Sequence, residues 1–89
     1  MIVREGSRMR IEGPVTVDNV KSILAQGHAA IAAGVIEADL SGLGQTDSSM
    51  IAMMLAWKRT LPALAFSGMK QDLASLAKLY GLNGLFPGT

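Results

Sequence analysis

Short apolar runs alternate with helical stripes along this chain, and that alternation limits the fold more than any other property. Met1–Arg4 and Arg8–Glu12 flank a Gly6-Ser7 pair that favours a turn. In the second segment Met9 and Ile11 alternate with Arg8, Arg10 and Glu12, the pattern of a half-buried strand. A hairpin is expected, ended at Gly13-Pro14 because Pro14 has no N–H to give a ladder. A helix follows, N-capped by Thr16 or Asp18, with Val20, Ile23, Leu24, Gly27 and Ile31 at helical spacing and Gly34 as its stop. Val35–Leu40 reads as a central strand with both faces partly covered. Ile36, Ala38 and Leu40 share one face; Val35, Glu37 and Asp39 share the other. Met50–Thr60 is a second helix closed off by Pro62, and Ala63–Phe66 is another short buried strand. Lys70–Tyr80 is the last helix, with Leu73, Leu76 and Tyr80 on one face and Gly81 ending it. The tail Leu82–Thr89 either adds Leu85 and Phe86 as a stub of edge strand or lays them over the core.

The order β, β, α, β, α, β, α predicts an α/β domain. Its crossovers should be parallel and right-handed, its first hairpin antiparallel, and its sheet mixed, of four to five strands, with helices packed mainly on one face. Eighty-nine residues make one domain, 1–89, with little to spare. A hydrophobic share of 49% is rich for that size and suggests apolar surface kept for a partner as well as a core. The formal charge of +1 gives no field for nucleic acid or anionic lipid, and Glu5 and Glu12 interrupt the arginines Arg4, Arg8 and Arg10. With no cysteine and a single histidine, thiol chemistry is excluded and a protein-built zinc site is not expected. The start lacks a signal-peptide apolar run, and no stretch approaches the roughly 18 apolar residues of a membrane span. A cytoplasmic chain without direct membrane insertion is expected.

The chemistry-bearing stretch is Asp39-Leu40-Ser41-Gly42-Leu43-Gly44-Gln45-Thr46-Asp47-Ser48-Ser49, read as a strand end, a tight polar loop and a helix start. Gly42-Leu43-Gly44 does not complete G-x-G-x-x-G, because the last position is Asp47, whose charge would repel a phosphate. No nucleotide or other cofactor is implied. Asp39 and Asp47 as an acid–base pair would need a cleft that so small a domain is not expected to have. Ser48 as a nucleophile would need a base, and His28, the only histidine, is not placed there by anything in the sequence. No enzyme is expected. Asp47 instead suits the N-cap of the following helix, meeting its positive end. Ser48 is then the first helical residue, exposed at the loop mouth, where a phosphate would add about −1.5 to −2 charges beside Asp47 and Asp39. The alternative is that Ser48 and Ser49 only cap the helix.

At about 100° per residue, Ile51, Met54 and Leu55 cluster on one side of that helix, the sheet-facing set. Ser49, Ala52, Met53 and Ala56 project the other way, with Met50 and Trp57 on the shoulder. Small residues let a partner's backbone approach, while Met and Trp offer adaptable and anchoring contacts. Ser49, Ala52, Met53, Ala56 and Trp57 are therefore read as a partner interface, against the plainer reading of Met53 and Trp57 as core.

Asp39-Leu40-Ser41-Gly42-Leu43 followed by Thr46-Asp47-Ser48-Ser49 resembles the "DLSG…DSSG" signature of STAS domains, which include the bacterial anti-anti-sigma factors. The order of elements is similar to that family along nearly the whole chain. In such domains the hydroxyl residue directly after the Asp is the regulatory phosphorylation or partner-contact position, here Ser48. The ending Asp72-Leu73-Ala74-Ser75-Leu76-Ala77-Lys78-Leu79-Tyr80-Gly81-Leu82 resembles the MlaB-type branch, the cytoplasmic STAS subunits of phospholipid-transporting ABC complexes. The resemblance implies a STAS-like fold and a non-catalytic subunit, peripheral to the inner membrane, that binds the transporter's ATPase and supports outer-membrane lipid asymmetry. An anti-anti-sigma factor, switched by an anti-sigma serine kinase at Ser48, is the alternative it implies. One departure stands out: the family usually has Gly three positions after the Asp, where this chain has Met50, a side chain able to occlude Ser48 or reshape the surface.

Overall fold

Gly6 adopts a φ of 64°, a conformation open to glycine and strained for residues with a Cβ. It turns the chain so that β1 (Ile2–Glu5) pairs antiparallel with β2 (Arg8–Ile11), as the alternation predicts. The computed structural model describes residues 1–79. In it, β2 pairs parallel with β4 (Glu37–Asp39), and β4 pairs parallel with β6 (Ala65–Ser67), giving a mixed sheet in the order β1-β2-β4-β6. The expected architecture of an antiparallel first hairpin and parallel crossovers is what these residues form. Tyr80, Gly81, Leu85 and Phe86, read as helix end and edge-strand stub, lie outside the described residues.

Two short strands depart from the sequence reading. Gly13–Val15 forms β3 and Leu43–Thr46 forms β5, paired parallel in a small second sheet. Pro14 sits inside β3 instead of ending the chain's extended run, and the stretch read as a tight loop is partly a strand. Gly44 makes the pairing fit, because a Cβ there would lie 3.3 Å from the Pro14 nitrogen. The helix α1 (Val20–Ala32) begins at Asn19, not at Thr16 or Asp18. The Asn19 side chain accepts from the Thr16 N–H at 3.0 Å and donates to the Pro14 carbonyl at 2.9 Å, fixing the entry to the helix.

The sheet has one apolar and one polar face. Met9, Ala38 and Phe66 lie in one row across β2, β4 and β6, all three buried, and join Ile11 and Leu40 beneath the helices. The opposite rows carry Arg8, Glu37 and Ala65, then Arg10, Asp39 and Ser67. Arg8 pairs with Glu37 at 3.2 Å and Asp39 at 3.3 Å, and Ser67 Oγ donates to Glu37 at 3.0 Å. Arg10 pairs with Glu5 at 3.4 Å and Glu12 at 3.2 Å. Such half-exposed pairs contribute about 0–1 kcal/mol each, but they keep this face wet. The expectation that both faces of Val35–Leu40 are partly covered holds over the strand itself, with Ala38 buried on one side and Glu37 and Asp39 half-buried on the other; the face assignment is corrected before it, where Val35 is buried and Ile36 is exposed.

The helix α2 (Ser48–Thr60) packs against α1 on one flank and α3 (Gln71–Leu79) on the other. One cluster joins Ile23 and Ala30 of α1, Met50, Ile51, Met53, Met54 and Trp57 of α2, and Leu73 and Ala77 of α3 to the strands. Trp57 is the largest of the sealed side chains; its Nε1–H donates to the Leu24 carbonyl at 3.2 Å. Its indole occupies the space opposite Gly27, where an added Cβ would overlap the ring. No helix among the described residues is long and apolar enough to cross a membrane.

Candidate interaction face at the head of the second helix

β4 delivers Asp39 to the sheet end and β5 delivers Asp47 to the start of α2. Asp39 Oδ1 accepts from the Ser41 N–H at 2.9 Å. That bond, the Ser41 hydroxyl, and then the charges of Arg8 and Arg10 hold its carboxyl below the usual value of 3.8, outweighing desolvation. The turn after β6 closes over this pair. Gly68 has a φ of 68°, and a Cβ there would approach the Ser41 nitrogen to 2.8 Å and Asp39 Oδ1 to 2.9 Å.

Asp47 is the N-cap of α2, and its carboxylate bridges two parts of the chain. Oδ1 accepts from the Ser49 N–H at 2.8 Å, while Oδ2 accepts from the Val17 N–H at 3.1 Å in the loop between β3 and α1. The Ser49 side chain and backbone, followed by Val17, lower its pKa below 3.8. Both aspartates are therefore carboxylates at neutral pH, and both have oxygens engaged by backbone N–H groups. Neither is placed as a proton donor. Lys58 and Arg59 fall in the last turn, so charged groups complement the helix dipole at both ends.

Ser48 is exposed at the head of α2, and Ser49 beside it is half-buried. One turn on, Ala52 is exposed; Leu55 and Ala56 are half-buried, and Arg59 is exposed. These residues form one uncovered stripe about 16 Å long at 1.5 Å per residue. Ser49, Ala52 and Ala56 lie on the side where the angular reading puts them, and Ser48 is exposed at the helix start as expected. Met53 and Trp57 do not: both are buried within the protomer, and the partner-interface reading of these two is corrected to core. The reason is the flanking of α2 by α1 and α3, which covers a wider arc than a sheet alone. Leu55, read as sheet-facing, lies instead at the margin of the open stripe. Met50 is fully buried, so it neither shields Ser48 nor shapes the outer surface.

Val17, Leu55 and Arg59 are not among the interface candidates read from the sequence, yet they adjoin this stripe. The signal for Arg59 was its spacing from Ser48, Ala52 and Ala56 on one helical face; Val17 had none, because a hydrogen bond between distant segments places it. His28 stands apart, its Nε2 3.2 Å from Thr60 Oγ1. The same hydroxyl donates to the Ala56 carbonyl at 3.2 Å. Among the described residues no three His, Asp or Glu side chains gather as a metal site.

No curated protein matches the chain. The family model described as "Mlab, STAS domain" matches residues 2–87. The chain therefore belongs to the MlaB-like STAS domains, and the α/β fold, with three helices among the described residues, is consistent with that membership.

Proposed function

We propose that this STAS domain is a non-catalytic accessory subunit that binds the ATPase of an ABC phospholipid transporter and supports its assembly and activity. The transporter maintains outer-membrane lipid asymmetry, and the subunit sits in the cytoplasm, peripheral to the inner membrane through the complex. Membership of the MlaB-like family suggests a protein-interaction role. The observation that carries the reading is the uncovered α2 stripe: exposed Ser48 heads a row of small side chains on a helix whose Met50, Ile51, Met53, Met54 and Trp57 are buried. Small residues allow close backbone approach without ordering long side chains, which lowers the entropic cost of docking. Catalysis is disfavoured by the same geometry, since the Asp47 oxygens serve the Ser49 and Val17 N–H groups.

Co-purification with the transporter ATPase tests this. Ser48→Glu puts a charge at the head of the stripe, and Ala52→Arg puts bulk at its middle. Both are expected to lose the ATPase while the thermal melt of the domain stays put. Retention of the ATPase by both variants removes the interface. The second reading, an anti-anti-sigma factor switched by phosphorylation of Ser48, is favoured by the exposure of Ser48 and the burial of Met50, which leaves the hydroxyl open to a kinase. It predicts one added phosphate with a cognate anti-sigma serine kinase and ATP, lost in Ser48→Ala; an intact mass without that addition discards it.

A further inference from the structure

We propose that the loop between β3 and α1 forms the second half of the docking face. Val17 is its specificity-determining contact, and Asp47 is the positioning residue that holds Val17 beside Ser48. The inference rests on the reading of α2 as the ATPase-binding helix. Val17 is 71% exposed, among the most exposed of the large apolar side chains described. A β-branched residue so placed has no role in the core, yet its backbone is held: the N–H donates to Asp47 Oδ2 at 3.1 Å. The same carboxylate accepts from the Ser49 N–H at 2.8 Å, so one side chain ties the loop to the head of α2. Val17 is therefore held at Asp47, the residue before Ser48, and continues the uncovered stripe past the start of the helix.

Charge defines the occupant. Asp18 follows Val17, is exposed, and has no ion pair among the described residues; Arg59, at the far end of the stripe, is likewise exposed and unpaired. The face is apolar and small-sided in the middle, acidic at one end and basic at the other. It fits a helix of the ATPase with a small apolar centre, a cationic end over Asp18 and an anionic end over Arg59, antiparallel to α2 in its dipole. A second copy has the same charges, but a stable pair needs roughly 1,000 Å² of total buried area. Serines, alanines, Leu55 and Val17 on one stripe about 16 Å long do not supply that between two copies.

The test is titration of purified domain with the transporter's purified ATPase subunit, using wild type, Val17→Asp, Asp47→Ala, Ala52→Arg and the Val17→Asp/Asp47→Ala pair. Val17→Asp is expected to weaken Kd by about tenfold or more with an unchanged melt, as for loss of a well-packed apolar contact against a buried new charge. Asp47→Ala should weaken it comparably and speed hydrogen exchange at the Val17 amide. In the Val17→Asp background Asp47→Ala should add little, because a positioning residue acts through what it positions; additive losses mean that Asp47 only caps the helix, and overturn its role. If Ala52→Arg abolishes binding and Val17→Asp does not, the Val17 assignment is overturned and the α2 reading stands. If Ala52→Arg leaves binding intact, the α2 reading falls and takes this one with it. Self-association of wild type that both variants abolish makes a second copy the occupant and overturns the ATPase assignment.

Discussion

Gly27→Ala separates two accounts of α1. By helix propensity alone the substitution stabilises, since Gly in a helix interior costs about 0.8–1.0 kcal/mol relative to Ala. The structure says the opposite, because the new methyl would overlap the Trp57 ring at Cζ2 and Cε2. The indole cannot swing clear: it is sealed from solvent and tied through Nε1 to the Leu24 carbonyl at 3.2 Å. Overpacking of this kind costs about 1–3 kcal/mol, and overlap with rigid ring atoms belongs in the upper half of that range. Subtracting ~1 kcal/mol for the propensity gain leaves a net loss of about 1–2 kcal/mol. For a domain of this size that lowers Tm by roughly 4–16 °C. The decisive arm is Trp57→Leu, which removes the whole indole that the new methyl would strike. It opens a cavity and forfeits a hydrogen bond worth about 1 kcal/mol, so it destabilises alone, but Gly27→Ala should then be neutral or stabilising. Trp57 is the only tryptophan, so far-UV circular dichroism, not fluorescence, must follow the melts. Equal cost of Gly27→Ala in both backgrounds, or a higher Tm in wild type, would refute the contact between the two helices as described.

Other consequences are as direct. Gly68→Ala requires a Cβ at positive φ and 2.8 Å from the Ser41 nitrogen, so a loss of about 1–3 kcal/mol in a urea melt is expected. Acid should destabilise the domain. The folded-state values of Asp39 and Asp47 lie below 3.8, so the unfolded chain takes up protons first, and the contribution present above that value is lost as pH falls through the folded values. In Asp39→Asn and Asp47→Asn the stability lost between neutrality and strong acid should be smaller than in wild type, as measured by urea midpoints across that range. By contrast, Arg10→Ala removes half-exposed pairs with Glu5 and Glu12 and the smallest of the influences on Asp39, and its stability should shift by less than about 1 kcal/mol in the same melt.

Much of this was legible in the residues. Alternation at Arg8–Ile11, the stop at Gly34 and the helical spacing around Ile23 point to the main sheet and its helices, because those signals are local. β3 and β5 were not legible: Pro14 argues against a strand, and Leu43-Gly44-Gln45-Thr46 has no apolar alternation, each strand giving the core one side chain, Val15 and Leu43. At the site, Asp47 as cap and Ser48 as exposed head follow from local chemistry. A helical wheel misplaces Trp57, because it reports angle and says nothing of how many neighbours surround the helix. A lone glycine on α1 gives no hint that it is the socket for a tryptophan thirty positions on.

The methionines have a consequence for how this domain ages. Met9, Met50, Met53 and Met54 are closed off inside it, while Met1 stands exposed and Met69 is half-covered. A peroxide therefore reaches the outer thioethers in the native state and the inner ones only when the chain opens. Each inner sulfoxide would lodge a polar oxygen where no partner waits, and closing again becomes harder. Oxidative damage is thus a ratchet here: slow to begin in an intact molecule, and self-reinforcing once begun.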